Sequence, residues 1–275
     1  MKTKLFLLIA CCYFGTATAQ VGDNYFISSP SSVPVQKGLL DFRIYHLFGD
    51  IAGNNGGIST FYGFDNVRDI KFSFDYGLTS NISIGIARTK GAYSRRQNFV
   101  LNSKYTFLEI NKLGKNDKGF LGGAIYFDAT ATTMEAALDS TSELSFPNFS
   151  SRLSYNTVAV LQYNNDRWDF ILSGLYNHRN YVANTDDNGA FAAIIGAKYA
   201  VTNVFRFGVD ALLPTNETKP GITLDFEFDT GGHVFQLYLS QYSAVSPDQN
   251  LLYGFENIND GAFRFGFMIS RPFKL

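Results

Sequence analysis

The connections in this chain alternate in length, short then long, and that rhythm restricts the fold more than any single motif does. From about residue 38 onward the sequence runs in period-2 segments, whose alternate side chains fall on opposite faces of a strand. Short connections fall at Thr79-Ser80-Asn81, Asn111 to Lys118, Asn164-Asn165-Asp166, Thr202-Asn203 and Thr230-Gly231-Gly232. All are rich in the Asn, Gly, Asp and Ser that tight hairpins use. The intervening connections, 46–66, 90–96, 130–151, 178–189, 214–219 and 243–260, are mostly longer. An aqueous sheet has no reason to sort its loops by parity. A closed antiparallel barrel crossing an outer membrane has one, because its turns are tight at the periplasmic rim and extended outside. The expectation is therefore an all-β, closed antiparallel transmembrane barrel of about twelve strands spanning 38–275.

The alternation is strongest in the last segment. Phe263, Phe265, Phe267 and Ile269 share one face, and Arg264, Gly266, Met268 and Ser270 share the other. Phe205, Phe207 and Val209 oppose Arg206, Gly208 and Asp210; Ile222, Leu224, Phe226 and Phe228 oppose Thr223, Asp225, Glu227 and Asp229. Ile70, Phe72, Phe74 and Tyr76 oppose Lys71, Ser73 and Asp75, while Ile82, Ile84 and Ile86 oppose Ser83, Gly85 and Ala87. Weaker strands are expected near 38–46, 98–108, 119–129, 152–163, 167–177, 190–201 and 233–242. Two of these, 119–129 and 190–201, are apolar on both faces, which also suits a buried strand or a short helix. Ser103 falls on the otherwise apolar face of its strand. Pro30, Pro34, Pro147, Pro214, Pro220, Pro247 and Pro272 are all expected outside strand interiors.

Which face meets lipid follows from charge. If the apolar faces look outward, the lumen receives Arg43, Lys71, Asp75, Lys104, Arg206, Asp210, Asp225, Glu227 and Arg264, together with Asp41, Lys198 and Asp229. The inverse arrangement would bury these groups in a dry core, at several kcal/mol for each one left unpaired. Tyr76, Phe107, Tyr163, Trp168, Tyr199, Phe228 and Phe273 then form an outward aromatic girdle near the short turns. Twelve strands give a backbone radius of about 12 Å, between filled eight-stranded barrels and open porins. Asp225, Glu227 and Asp229 beside Arg206 suit a structural charge ladder, or the lining of a narrow aqueous path.

The remaining segments bound location and chemistry. Residues 1–19 read as a cleaved export signal: Lys2 and Lys4, an apolar run from Leu5 to Phe14, then Ala17-Thr18-Ala19 before Gln20. Leu8-Ile9-Ala10-Cys11 offers a lipoprotein-type cut as the rival. Both cysteines lie within this segment, so the mature chain has no thiol. Residues 20–37, with Ser28-Ser29-Pro30-Ser31-Ser32, read as a short polar lead-in to the barrel, with disorder as the alternative to an ordered segment. A net charge of −1 gives no electrostatic case for nucleic acid. Charged residues are 17% and aromatics 16%, with 27 Phe against one Trp, a strand-and-girdle composition.

No catalytic, metal or cofactor set is expected. His46, His178 and His233 are far apart and share no ligand spacing. The loop Gly49 to Gly57 lacks both the acidic spacing of a calcium site and the Lys of a phosphate loop. It is expected as a flexible outer loop, with an inward-folded partial plug as the alternative.

Four blocks point further: Leu40-Asp41-Phe42-Arg43-Ile44-Tyr45-His46-Leu47-Phe48-Gly49, Phe61-Tyr62-Gly63-Phe64-Asp65, Asp75-Tyr76-Gly77-Leu78-Thr79 and Ile84-Gly85-Ile86-Ala87-Arg88. They resemble a family of exported bacterial β-barrel proteins whose domain has no assigned function. The resemblance implies a barrel in the envelope and no reaction. The last strand is similar to signals read by barrel-assembly machinery, with Gly266 and Phe273; Arg271 and Lys274-Leu275 depart from the usual aromatic ending. The functional expectation is an outer-membrane barrel acting as a narrow passive channel or as a structural or docking element. Its partners would be outer-membrane lipid, the assembly machinery during insertion, and a small solute or envelope protein. The alternatives are a membrane-embedded hydrolase and a soluble barrel holding an apolar ligand.

Overall fold

Twelve antiparallel strands close on themselves in sequence order, with the first strand paired to the last. The computed structural model describes residues 25–53, 55–113, 119–183, 187–216, 218–254 and 263–274. The signal segment 1–19 and the turn at 114–118 lie outside the described residues. The strands are β1 Leu39–Asp50, β2 Val67–Gly77, β3 Ile82–Lys90, β4 Gln97–Leu113, β5 Gly119–Thr132 and β6 Leu153–Asn164. They continue as β7 Trp168–Arg179, β8 Gly189–Ala200, β9 Phe205–Pro214, β10 Gly221–Asp229, β11 Val234–Ser240 and β12 Arg264–Lys274. A short helix, α1 Pro247–Tyr253, interrupts the connection from β11 to β12. All twelve fall on the period-2 segments of the sequence, including the two that are apolar on both faces.

Register sends most of the charges inward and the phenylalanine rings of the strands largely outward. Lys198, Asp225, Glu227 and Arg264 are buried to 2% exposure or less, whereas Phe72 keeps 42% and Leu172 keeps 53% of its surface outside. A water-soluble barrel around an apolar ligand is the reverse of this arrangement. The short-turn rim carries the girdle: Phe107, Trp168, Phe228 and Phe273 are exposed, and Trp168 packs on Tyr199 with ring centroids 4.9 Å apart. Ser103 faces outward between Ile84 and Phe127, as its parity requires.

One proline expectation needs correction. Pro214 is the last residue of β9 and so stays out of its interior, but Pro272 lies inside β12, opposite Asp41. β11 has already ended where Val234 meets Ser270, so β12 has a neighbour on one side only at Pro272. A missing amide donor is tolerated at such an edge.

The two inserts that enter the barrel are not the expected ones. The β1–β2 connection, weighed above as a plug, stays outside: Ile58 and Phe61 are exposed, and the Phe64 ring packs at a tilt against Phe48 and Phe265 on the outer face. The β11–β12 connection, expected as an outer loop, turns inward instead. Gln241 through Ser246 and Asp248 through Leu251 are buried. The Ser-rich stretch expected as a polar lead-in is ordered within the lumen, where Tyr25, Phe26, Ser28, Ser29, Ser31 and Ser32 are all buried.

Candidate functional site in the lumen

The lumen is filled from both ends, and the wall supplies the fastenings. At the short-turn rim, residues 36–38 fold over the end of β2: Gly38 N–H donates to the Gly77 carbonyl at 2.8 Å, and Leu39 N–H to Gln36 at 2.9 Å. A Cβ on Gly77 would stand 2.2 Å from the Gln36 carbonyl oxygen, so only glycine permits this crossing. From there the chain runs into the barrel. Ser32 N–H donates to Gln162 at 2.8 Å, the Thr106 hydroxyl donates to the Ser32 carbonyl at 2.7 Å, and Ser29 and Ser173 share a bond of 2.8 Å. The Lys104 ammonium donates to the Ser31 hydroxyl and to the Val33 carbonyl.

The far end of this plug sits on the charge cluster. Lys198 lies 2.8 Å from both Asp225 and Glu227, and Arg206 lies 2.6 Å from Glu227. Gln236 bridges Glu227 at 3.0 Å and the Tyr25 carbonyl at 2.7 Å, and Lys198 donates to the same carbonyl. Tyr25 also lies under the Arg43 guanidinium, 3.6 Å from ring centroid to carbon, and accepts a bond from it through its hydroxyl. Arg43 is in turn held by Asp41 at 2.6 Å and lies 3.8 Å from Asp75. Buried ions demand such partners, because each one left alone costs several kcal/mol. Asp229, expected in the ladder, instead accepts the Gly231 amide at 2.8 Å and caps the tight turn at the rim.

The apolar inner faces of β5 and β8 are explained here. Ala124 and Ile194 are fully buried, and Ile194, Ala190 and Ala192 pack with Val158, Val160, Ile171 and Leu212 around Phe26 of the plug and Leu251 of α1. Gly196 lets Phe26 approach: an added Cβ would stand 2.6 Å from its ring. A sequence that looks indecisive about its face is the seat of an insert.

The second insert comes from the long-loop rim. Arg264 pairs with Asp50 at 2.7 Å and donates to the Gln241 carbonyl at 3.1 Å, while Val245 N–H donates to Asp69 at 2.9 Å. Glu143 gathers the surrounding loops. It accepts from Tyr253 at 2.8 Å and from Ser94, pairs with Arg179 at 3.2 Å and stands 3.8 Å from Arg95. Both inserts meet at Asp210, which accepts the Ile27 amide at 3.1 Å and the hydroxyls of Ser28 and Tyr242; the Ser28 and Tyr242 hydroxyl oxygens lie 2.6 Å apart. Burial raises the Tyr242 hydroxyl above the usual phenol range, so it stays a neutral donor.

All nine sequence-derived lumen residues point inward: Arg43, Lys104, Asp210, Asp225, Glu227 and Arg264 are buried, and Lys71, Asp75 and Arg206 are partly so. Sequence reasoning missed Tyr25, Phe26, Ser28 and Tyr242, whose contacts join residues more than a hundred positions apart. The histidines do not converge. His46 faces outward, stacked on Phe267 with centroids 5.3 Å apart, and its Nδ1 has no hydrogen-bond partner among the described residues. His178 pairs across strands with Tyr155 and Gly189, and His233 sits at a tight turn.

These features define a class: a membrane-type antiparallel barrel whose lumen holds two segments of its own chain. The family model described as membrane bound beta barrel domain (DUF5777) matches residues 23–273, and the chain belongs to that family. No curated protein matches the sequence at a significant level. Among solved structures, an outer membrane channel from Pseudomonas putida F1 is similar at 11% identity and a TM-score of 0.50, over 88% of this chain and 98% of that one. The KdgM porin in complex with disordered oligogalacturonate is similar at 6% identity and 0.48, over 86% and 99%. Outer membrane phospholipase A from Escherichia coli is similar at 13% identity and 0.45, over 88% and 93%. The likeness to the first is one of fold.

Proposed function

We propose that this protein is an outer-membrane barrel, exported through a cleaved signal at 1–19, that acts as a narrow passive channel held closed by residues 25–37. The short-turn rim would face the periplasm, so the plug enters from there and the α1 insert from outside. One observation carries this: the main ion pairs of the wall do not need the plug. Lys198 keeps Asp225 and Glu227, and Arg43 keeps Asp41, without any help from residues 25–37. The bonds that hold the plug contribute about 0.5–1.5 kcal/mol each where both partners are neutral and about 1.5–3 kcal/mol where one is charged, and water can replace the plug as their partner. The membrane partner is lipid, with the assembly machinery acting during insertion.

Planar-bilayer recording of the mature chain beside a chain beginning at residue 38 tests this. The mature chain should stay closed or flicker, and the shortened one should give steady conductance steps. If neither conducts at any voltage, the barrel is a structural or docking element of the envelope.

A further inference from the structure

The β1–β2 connection is tightly bonded, yet it turns its rings away from the lumen. Gly49 N–H donates to the Gly63 carbonyl at 3.0 Å and to the Asn66 carbonyl at 2.9 Å, tying the returning chain to the end of β1. The two backbones touch there: a Cβ on Gly63 would meet the Gly49 carbonyl oxygen at 2.4 Å. Within the turn, Tyr62 N–H donates to the Gly57 carbonyl at 2.8 Å and Gly63 N–H to the Thr60 carbonyl at 3.0 Å. Phe61 and Tyr62 both take left-handed backbone, with φ of 47° and 54°. Bulky side chains rarely adopt that conformation, and it persists only where the surrounding structure enforces it.

What this backbone holds up is apolar. Ile58 keeps 83% of its surface exposed, Phe61 62%, Tyr62 49% and Phe64 44%, and residues 58–64 carry no charge. Water favours burying such groups, so a contiguous exposed patch of them marks contact with another phase or molecule. The patch is continuous with the barrel wall. Phe64 lies 5.0 Å from Phe48 of β1 and 5.4 Å from Phe265 of β12, and Phe61 lies 5.9 Å from Phe64. Phe48 and Phe265 are on the outward faces of paired strands, the faces that a membrane barrel turns to lipid. A docked protein would have to share this ring cluster with the hydrocarbon against Phe48 and Phe265. Lipid covers wall and loop without a break, and the Tyr62 ring, with its polar tip, suits the boundary between acyl chains and headgroups.

We infer that residues 58–64 are a lateral membrane anchor, with Ile58, Phe61, Tyr62 and Phe64 seated in the outer leaflet at the level of the headgroup boundary. The inference rests on the outer-membrane placement proposed above, with the long-loop rim outside, and does not depend on conduction. The anchor extends the lipid-facing surface past the end of β1 and covers its pairing with β12 from the lipid side.

Tryptophan fluorescence of the full-length protein, folded into phosphatidylcholine vesicles brominated either near the headgroup or near the chain ends, tests the assignment. Trp168→Phe removes the one native tryptophan. In that background Phe61→Trp reports on the loop, and Leu172→Trp reports on the middle of β7, where the native side chain is 53% exposed. The Phe61→Trp reporter should be quenched at least twofold relative to unbrominated vesicles, and more by bromine near the headgroup. The Leu172→Trp reporter should be quenched more by bromine near the chain ends. Should Phe61→Trp lose the heat-dependent electrophoretic mobility of a folded barrel, Ile58→Trp on the same turn supplies the same readout. Quenching at the wall without quenching at the loop overturns the anchor and leaves the membrane barrel standing. Quenching at neither overturns both.

Discussion

The lumen has two unlike halves. Around β8 to β11 the inward charges are taken up by the wall and the inserts: Lys198 sits between Asp225 and Glu227, Gln236 closes the set onto the plug backbone, and Asp210 takes its donors from both inserts. Around β2 to β5 the same inward parity produces a cavity, with Lys71 in no ion pair among the described residues and Asp128 served by neutral donors. Alternation along a strand therefore decides only that a group points inward. Whether it becomes a fastening or a surface depends on what reaches it from across the barrel. The plug crosses toward the β8–β11 wall and leaves the other side hollow.

The largest test of that contrast is Lys198→Met. It leaves Asp225 buried with its cation gone and Glu227 with Arg206 alone. Breaking a buried pair from one side costs about 3–5 kcal/mol. The midpoint of the heat-dependent mobility shift should fall clearly, and Lys71→Met on the hollow side should move it much less. Comparable losses from both would erase the distinction.

Gly77→Ala comes next. The new methyl would meet the Val35 and Gln36 carbonyl oxygens, which are backbone and cannot swing away. Overpacking of this kind costs about 1–3 kcal/mol, here against seating of the plug. The barrel should fold yet conduct, and a cysteine placed at Ser28 should become labelled by a periplasmic-side thiol reagent.

The pH response is a smaller effect and belongs to the hollow side. Burial raises the Asp248 carboxyl above its ordinary value of 3.8. A carboxyl with a raised folded value favours the docked state below its unfolded value, and that contribution fades as pH rises through the raised one. Docking of α1 should therefore weaken as pH climbs above about 4, read as increasing protease cleavage of the β11–β12 connection. Asp248→Asn should flatten the profile. An unchanged slope would remove Asp248 from the account.

Gly174→Ala should do almost nothing, within about 0.5 kcal/mol, because no atom lies within 4 Å of the added methyl on the outer face. The same substitution at Gly77 and Gly174 thus separates the plug contact from the sheet. If both leave the barrel closed, the Gly77 crossing is not what seats the plug.

Most of the barrel was legible because strand parity and turn length are local. Phe72 against Lys71, or Phe226 against Asp225, declares its face within a few residues. Even the poor segments were informative: the double-faced apolar run at 190–201 marks where Phe26 lands. The plug was illegible for the opposite reason. Ser28 and Asp210 lie at positions that nothing local relates, and a Ser-Pro stretch reads the same in solvent as in a polar lumen.

By itself the sequence determined that this chain makes a ribbon with one greasy and one ionised side, folded back often enough to close. Those properties come from neighbouring side chains and need no partner. Only the tertiary structure decided that the lumen is occupied, by which segments, and where it stays empty. Polar groups in a lumen accept any donor that reaches them, and reach is set by closure of the ring.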